Sequence, residues 1–253
     1  MIVSTAQPFF CPFSGYFSRA IASDVFVVLD SVQFPRGTTW ITRNRFKNDQ
    51  GTLWMNVPVW KKGLGLQKIS EVKICREGRW QRKHIESIIQ AYHHAPYFRE
   101  HIDFIKSLFS SDHVTIAEMN MAVIAYVMKF LQAGAKVALL SELGFEQRGS
   151  MLLVEICRVL GAKHYLAAAS ARAYLDEGLF QDAGIELIFL KPPILIYPQL
   201  WGSFIPNLSI FDLIFNCGPK ARELVLGGKE GTRQTLHPTT LHGSEKTKLP
   251  FEG

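Results

Sequence analysis

The sequence is poor in cysteine: Cys11, Cys75, Cys157 and Cys217 are the four in 253 residues, and no two form a C-x-x-C pair. That spacing points away from a zinc knuckle or a disulfide framework and fits a reducing compartment. Long apolar runs are missing as well, and the longest, Met121 to Met128, falls well short of the roughly 18 residues a membrane span needs. Met1-Ile2-Val3-Ser4-Thr5 carries no basic leader, so the expectation is a cytoplasmic protein, neither secreted nor membrane-inserted. No G-x-G-x-x-G and no Walker A sequence occurs, which disfavours a standard dinucleotide or P-loop site. His93-His94 and His101 lack metal-ligand spacing, so neither a metal nor an organic cofactor is expected.

What is present is 47% apolar residues against 20% charged, a globular profile. Lys and Arg number 28 against 22 Asp and Glu, and the net charge of +6 favours anionic partners such as phosphates, nucleotides or nucleic acid without choosing among them. The basic residues are spread along the chain without a recognised nucleic-acid motif, so nucleic acid ranks last among them.

The order of elements points to α/β. Ile2-Val3, a loop from Gln7 to Pro12, a short helix around Gly15 to Ile21 and the run Val25 to Leu29, ending at Asp30, make a βαβ-like opening. Continuous apolar runs of this kind suit strands of a parallel sheet. Trp40 to Lys47, Leu53 to Val59 and Lys68 to Cys75 read as extended segments of an antiparallel appendage. Arg79 to Tyr92, Pro96 to Phe109 and Ile116 to Gln132 read as helices, the last with Met119, Val123 and Val127 on its apolar face. Strands at Val137 to Leu140, Tyr165 to Ala168 and Ile185 to Leu190, with a helix over Ser150 to Leu160, resume the parallel pattern. Ser209 to Phe215 and Pro219 to Leu226 close it. The expected fold is a mostly parallel, doubly wound α/β sheet with an antiparallel appendage and a helical insertion at about 79–133. It forms one composite domain over 1–226, followed by a flexible tail over 227–253.

In an open α/β sheet, ligands bind outside the carboxyl ends of the strands. The residues just past those ends are Gln7, then Asp30 and Gln33, then Ser141 and Glu142, then Ala169-Ser170; each alone reads more readily as a turn residue, and their convergence points to one cleft. Asp30 is the candidate general base or hydroxyl ligand, Gln7 and Gln33 orient an acceptor, and Asp24 reads as a cap. His84 is carried as a third catalytic candidate, although the margin of an apolar helix stripe is commonly the place of a core-edge histidine. In Trp40 to Lys47 a period of two puts Arg43, Arg45 and Lys47 on one face and Trp40, Thr42, Asn44 and Phe46 on the other. Such a row suits phosphate or carboxylate oxygens and suits a solvated edge strand equally well. Ser14-Gly15-Tyr16-Phe17 opens a helix whose free N–H groups receive an anion, which brings Tyr16 into the substrate-binding set. Asn207 or Ser209 starts a later helix, with Asp212 three residues on as an acidic capping box; all three are also carried as substrate ligands. Cys11 reads as a nucleophile or as a small buried thiol.

The chain resembles the WbqC-like family through Gln7-Pro8, Pro12, Gly15-Tyr16-Phe17, Asp24-Val25-Phe26, Leu29-Asp30, Gln33-Phe34, Trp40 and Arg43-Asn44-Arg45. Trp54 with Val57-Pro58-Val59, Trp80 and His84, Tyr92 with Ala95-Pro96, Leu160-Gly161-Ala162, Tyr174-Leu175-Asp176, Tyr197-Pro198-Gln199 and Phe204 to Gly218 continue it over roughly residues 1–226. Gene context typical of that family implies bacterial O-antigen or other surface-polysaccharide biosynthesis, with glycyl or related aminoacyl transfer onto an amino sugar. The chain departs from the family in having Ala167-Ala168-Ala169-Ser170 where relatives tend to place a Gly-containing turn. The leading reading is therefore a transferase acting on an activated or nucleotide-linked amino sugar. A nucleotidyltransferase-like enzyme using a nucleoside triphosphate is the second, and a non-catalytic binding or scaffold protein the third.

Overall fold

The structure, a computed structural model, describes residues 1–192 and 194–227. The expected tail lies, from residue 228 on, outside the described residues.

The chain opens with β1 (Ile2–Ala6), α1 (Ser14–Ile21) and β2 (Val25–Val28), then turns into the hairpin β3 (Arg43–Asn48) and β4 (Gly51–Asn56). The helices α2 (Trp80–Tyr92), α3 (Phe98–Ser110) and α4 (Ile116–Phe130) follow. The α/β pattern resumes with β5 (Lys136–Leu139), α5 (Leu140–Leu143), α6 (Gly149–Leu160), β6 (His164–Ala168), α7 (Glu177–Asp182) and β7 (Glu186–Leu190). Helices α8 (Ile210–Cys217) and α9 (Lys220–Leu226) close it.

The strands form one parallel sheet ordered β5-β2-β1-β6-β7 with helices on both faces, and β3 and β4 pair separately as the antiparallel appendage. The pleat explains the two cores. Val3, Val25, Val27, Ala138 and Tyr165 face α6 and α7, while Phe26 and Val28 face α1 and the α2–α4 and α8–α9 helices. Caps stop and start the helices locally: Thr115 Oγ1 accepts from Glu118 N at 3.2 Å while Glu118 accepts from Thr115 N, and Gly161 ends α6 at φ +67°. Among the described residues no helix is long and apolar enough to cross a membrane.

Three local expectations are corrected. Lys68 to Cys75 is a short 3₁₀ turn (Ile69–Glu71) flanked by single bridges, Gln33 to Lys68, Val59 to Ile74 and Lys73 to Thr115. Its buried Ile69 and Val72 lie three apart, a spacing that a strand cannot turn to one face. Trp40 lies in the turn before β3 and not on its far face; the Arg45 guanidinium stands 5.9 Å from its ring centroid. Lys47 leaves the cation row altogether, buried with Nζ donating to Ser203 O (2.7 Å) and Gln199 Oε1 (3.1 Å).

Candidate functional site

β1, β2 and β5 all deliver their carboxyl ends to one edge of the sheet, and there a cleft of about 760 Å³ opens. Gln7 follows β1, Ser31 to Gln33 follow β2, and Leu140 follows β5. The opposite walls are Leu66 to Lys68 and the stretch Phe145 to Gly149 that leads into α6. The wall at 67–70 is strapped to the loop after β2 by backbone bonds from Phe34 N to Gln67 O, Ile69 N to Val32 O and Ser70 N to Asp30 O, at 2.8–3.0 Å. Four carboxamides, Gln7, Gln33, Gln67 and Gln147, therefore converge with the cations Lys68 and Arg148. Each carboxamide both donates and accepts, which suits the hydroxyl and amide groups of a sugar, while the cations suit phosphate oxygens.

Asp30 lies at the base of this edge, 5% exposed. Its Oδ1 accepts from Ser141 N (2.9 Å) and its Oδ2 from Ser141 Oγ (2.6 Å), which fixes the start of α5 beside the cleft. The sheet's switch point, between β1 and β6, is occupied differently. The β1–β6 ladder runs only over Ile2–His164 and Val3–Tyr165. Past it Ser4 Oγ donates to Leu166 O (2.7 Å), Thr5 Oγ1 meets Tyr165 Oη (2.7 Å) and Arg19 donates to Thr5 O (2.9 Å). Side chains tie that crevice, and the open volume lies on the β1, β2 and β5 side.

A second cavity, of about 260 Å³, is lined by Phe9, Phe13, Trp40, Asn44, Arg45 and Asn207. The loop between β1 and α1 thus borders both cavities, with Gln7 in one and Phe9 and Phe13 in the other. Buried amides hold that loop: Asn44 Nδ2 donates to Phe10 O and Cys11 O, and Asn120 Nδ2 donates to Pro8 O and Ile41 O. On the third side Ile210 N bonds Pro12 O and Ser209 N bonds Arg45 O, both at 2.8 Å. Arg45 reaches the carbonyls of Pro206 and Asn207 at 3.3 and 3.2 Å. Trp40 and Trp54 stack with centroids 5.8 Å apart, and the Arg43 guanidinium lies 4.3 Å from the Trp54 centroid. These rings are 43% and 47% exposed, so the hairpin presents an aromatic and cationic wall to solvent.

The WbqC-like protein family model matches residues 7–224, a span that contains every residue of both cavities. The chain belongs to the WbqC-like family. It is 30% identical over 221 residues, 87% of its own length and 95% of the relative's, to the uncharacterized protein Rv1507c of Mycobacterium tuberculosis (strain ATCC 25618 / H37Rv).

Of the residues singled out in this WbqC-like chain, the structure gathers Gln7 and Gln33 in the sheet-edge cleft with Asp30 beside them, and Trp40, Asn44, Arg45 and Asn207 around the second cavity. It does not bring Arg43 and Arg45 to the cleft. His84 sits apart, with Nε2 at 3.0 Å from Asn56 O and its ring against Trp80 and Phe109, where burial lowers its pKa. Tyr16 is buried among Phe9, Phe17 and Phe26, its hydroxyl without a hydrogen-bond partner among the described residues. Ser209 caps α8 through Phe211 N. Asp212 is not the second half of a capping box: its carboxylate is fully buried and accepts from Tyr92 Oη (2.8 Å) and Tyr197 Oη (2.9 Å). Burial raises its pKa against the lowering pull of those hydroxyls and Lys47. Cys11 is buried in the left-handed region at φ +44°, and burial pushes its thiol pKa well up. Asp24 accepts from Ile2 N at 2.7 Å and so anchors the start of β1. Gln67, Lys68, Gln147 and Arg148, which complete the cleft, carry no local signal in the sequence because only the fold assembles them.

Proposed function

We propose that this protein is a transferase that takes a phosphorylated or nucleotide-linked amino sugar in the sheet-edge cleft and transfers a glycyl or related aminoacyl group to it. The convergence of Gln7, Gln33, Gln67 and Gln147 with Lys68 and Arg148 carries the reading. Few other arrangements satisfy many hydroxyls and a phosphate in one cleft. In this reading Gln7 and Gln33 orient the sugar, and Lys68 and Arg148 hold the phosphate. The amino nitrogen attacks the carbonyl carbon of an activated aminoacyl donor such as an aminoacyl adenylate; the new C–N bond replaces the acyl–phosphate bond and AMP leaves. The amine proton passes to Ser141 Oγ, which donates to Asp30 and passes its own proton to that carboxylate. The reaction class comes from the family resemblance, and the binding chemistry from the cleft.

A panel of sugar phosphates, nucleotide sugars and aminoacyl-adenylate analogues in thermal unfolding tests this. A ligand at a hundred times its Kd adds about 2.7 kcal/mol, and Lys68→Ala with Arg148→Ala, both at exposed positions, is expected to abolish the shift. A panel with no stabilising member would overturn the reading in favour of a binding or scaffold role.

The strand order β5-β2-β1-β6-β7 favours a second reading, because nucleotide-binding doubly wound sheets share it. It makes the protein a nucleotidyltransferase, and release of pyrophosphate from a nucleoside triphosphate and a sugar phosphate is the discriminating measurement.

A further inference from the structure

The two cavities differ in what they ask of a ligand. In the second cavity Phe9, Phe13 and Trp40 supply aromatic rings, and the Asn44 amide is already committed. Asn44 spends its amide nitrogen on two carbonyls and its oxygen on Arg45 N. Arg45 gives one terminal nitrogen to Pro206 O and Asn207 O, while its buried Nε, without a partner among the described residues, and the Asn207 side-chain amide are left for a ligand. A lining rich in rings and short of free side-chain acceptors suits a planar base, which needs a face to stack on and a few polar groups to read its edge, better than a sugar ring whose several hydroxyls must each donate. The guanidinium groups of Arg43 and Arg45 beside the tryptophan pair add positive charge at the mouth. Position agrees with chemistry. Gln7 of the cleft and Phe9 of this cavity are two residues apart, so their Cα atoms lie within about 7 Å.

We propose that the Phe9–Phe13–Trp40 cavity seats the nucleobase of a nucleoside diphosphate-linked substrate whose sugar occupies the neighbouring carboxamide cleft, with Asn207 reading the base edge. This rests on the sugar-binding reading of the cleft, and adds that the substrate is a nucleotide sugar and not a simple sugar phosphate. Asn207 holds φ +55°, a conformation asparagine tolerates better than most residues, and its backbone carbonyl is pinned by Arg45.

Calorimetric titration of the full chain with ADP, GDP, CDP and UDP, with inorganic pyrophosphate and with N-acetylglucosamine 1-phosphate tests it. Wild type is expected to bind at least one nucleoside diphosphate tenfold or more tighter than pyrophosphate. Trp40→Ala, at a half-exposed position, should weaken that diphosphate roughly 5- to 150-fold, the range of one base–aromatic stack, and leave pyrophosphate and the sugar phosphate unchanged. Trp40→Phe should keep most of the affinity, and Asn207→Ala should narrow the preference among the four bases. The proposal fails if Trp40→Ala binds the diphosphates as wild type does, or loses all phosphorylated ligands equally. Binding of the sugar phosphate with no gain from any base sinks it while sparing the cleft reading. Binding of none of the probes sinks both.

Discussion

The side-chain amide of Asn44 donates to the carbonyl of Cys11 at 2.7 Å, and through that contact β3 holds the loop that borders both cavities. The same nitrogen reaches Phe10 O at 2.9 Å, and the amide oxygen takes Arg45 N. Asn44 is therefore the joint between hairpin and sheet as well as a wall of the aromatic cavity.

Truncating this joint strands two buried carbonyls. Each unsatisfied group costs about 1–3 kcal/mol, so Asn44→Ala is expected to lower unfolding free energy in urea by about 2–6 kcal/mol. A loss under 0.5 kcal/mol would show that the loop holds itself. Asn120→Ala, which releases Pro8 O and Ile41 O, should behave alike.

Gly15 sets how closely α1 approaches the same loop. A Cβ at that position would overlap the Phe13 ring and lie 2.7 Å from Pro192 Cγ. Gly15→Ala should cost about 1–3 kcal/mol through overpacking. Because the displaced ring is a wall of the aromatic cavity, nucleoside diphosphate affinity should fall with it. Unchanged stability and affinity together would mean that Phe13 swings away freely.

The sheet was legible in the sequence because its strands are buried on both faces. Val25 to Val28 reads as one apolar run, and the alternation of strand and helix then implies parallel crossovers. Gln7, Asp30 and Gln33 were legible because strand ends are where such sheets bind ligands. The remainder depends on long-range partners. Lys47 has the spacing of a surface cation, and only Gln199 and Ser203, some 150 residues on, show that it is buried. Asp212 has the spacing of a cap, but Tyr92 and Tyr197 compete for its carboxylate. The fourfold carboxamide set comes from four separate loops, and no local pattern marks it.

Asp30 and Ser141 give a prediction that separates binding from turnover. Asp30→Asn keeps the shape and one acceptor for Ser141, so sugar-ligand stabilisation in thermal unfolding should persist while acyl transfer falls by 100-fold or more, the range of a general base. Asp30→Ala removes both acceptors and should speed hydrogen exchange at the Ser141 amide by tenfold or more. Transfer at the wild-type rate in Asp30→Asn would take the carboxylate out of the chemistry and leave it as the anchor of α5.

The buried His101 and the half-buried His84 both act on the acid side of the stability profile. His84 is held among Trp80 and Phe109, and His101 meets Tyr126 Oη at 2.7 Å through Nδ1 while its Nε2 is buried without a partner among the described residues. Burial lowers both pKa values from 6.5, against the opposing pull of Asn56 O on the first and Glu100 on the second. A base with a lowered folded pKa binds fewer protons folded than unfolded, so its contribution is present above pH 6.5 and is lost as pH falls through the folded value. Asp212 has the opposite sign: its carboxyl is raised by burial, and its contribution is full below 3.8 and declines as pH rises. Comparing a histidine variant with wild type at each pH cancels that carboxyl. The gap in urea midpoint between wild type and His101→Gln or His84→Gln should therefore shift in the variant's favour between pH 7 and 5, whatever each variant costs at pH 8. Parallel curves for wild type and both variants would place the acid sensitivity in other groups.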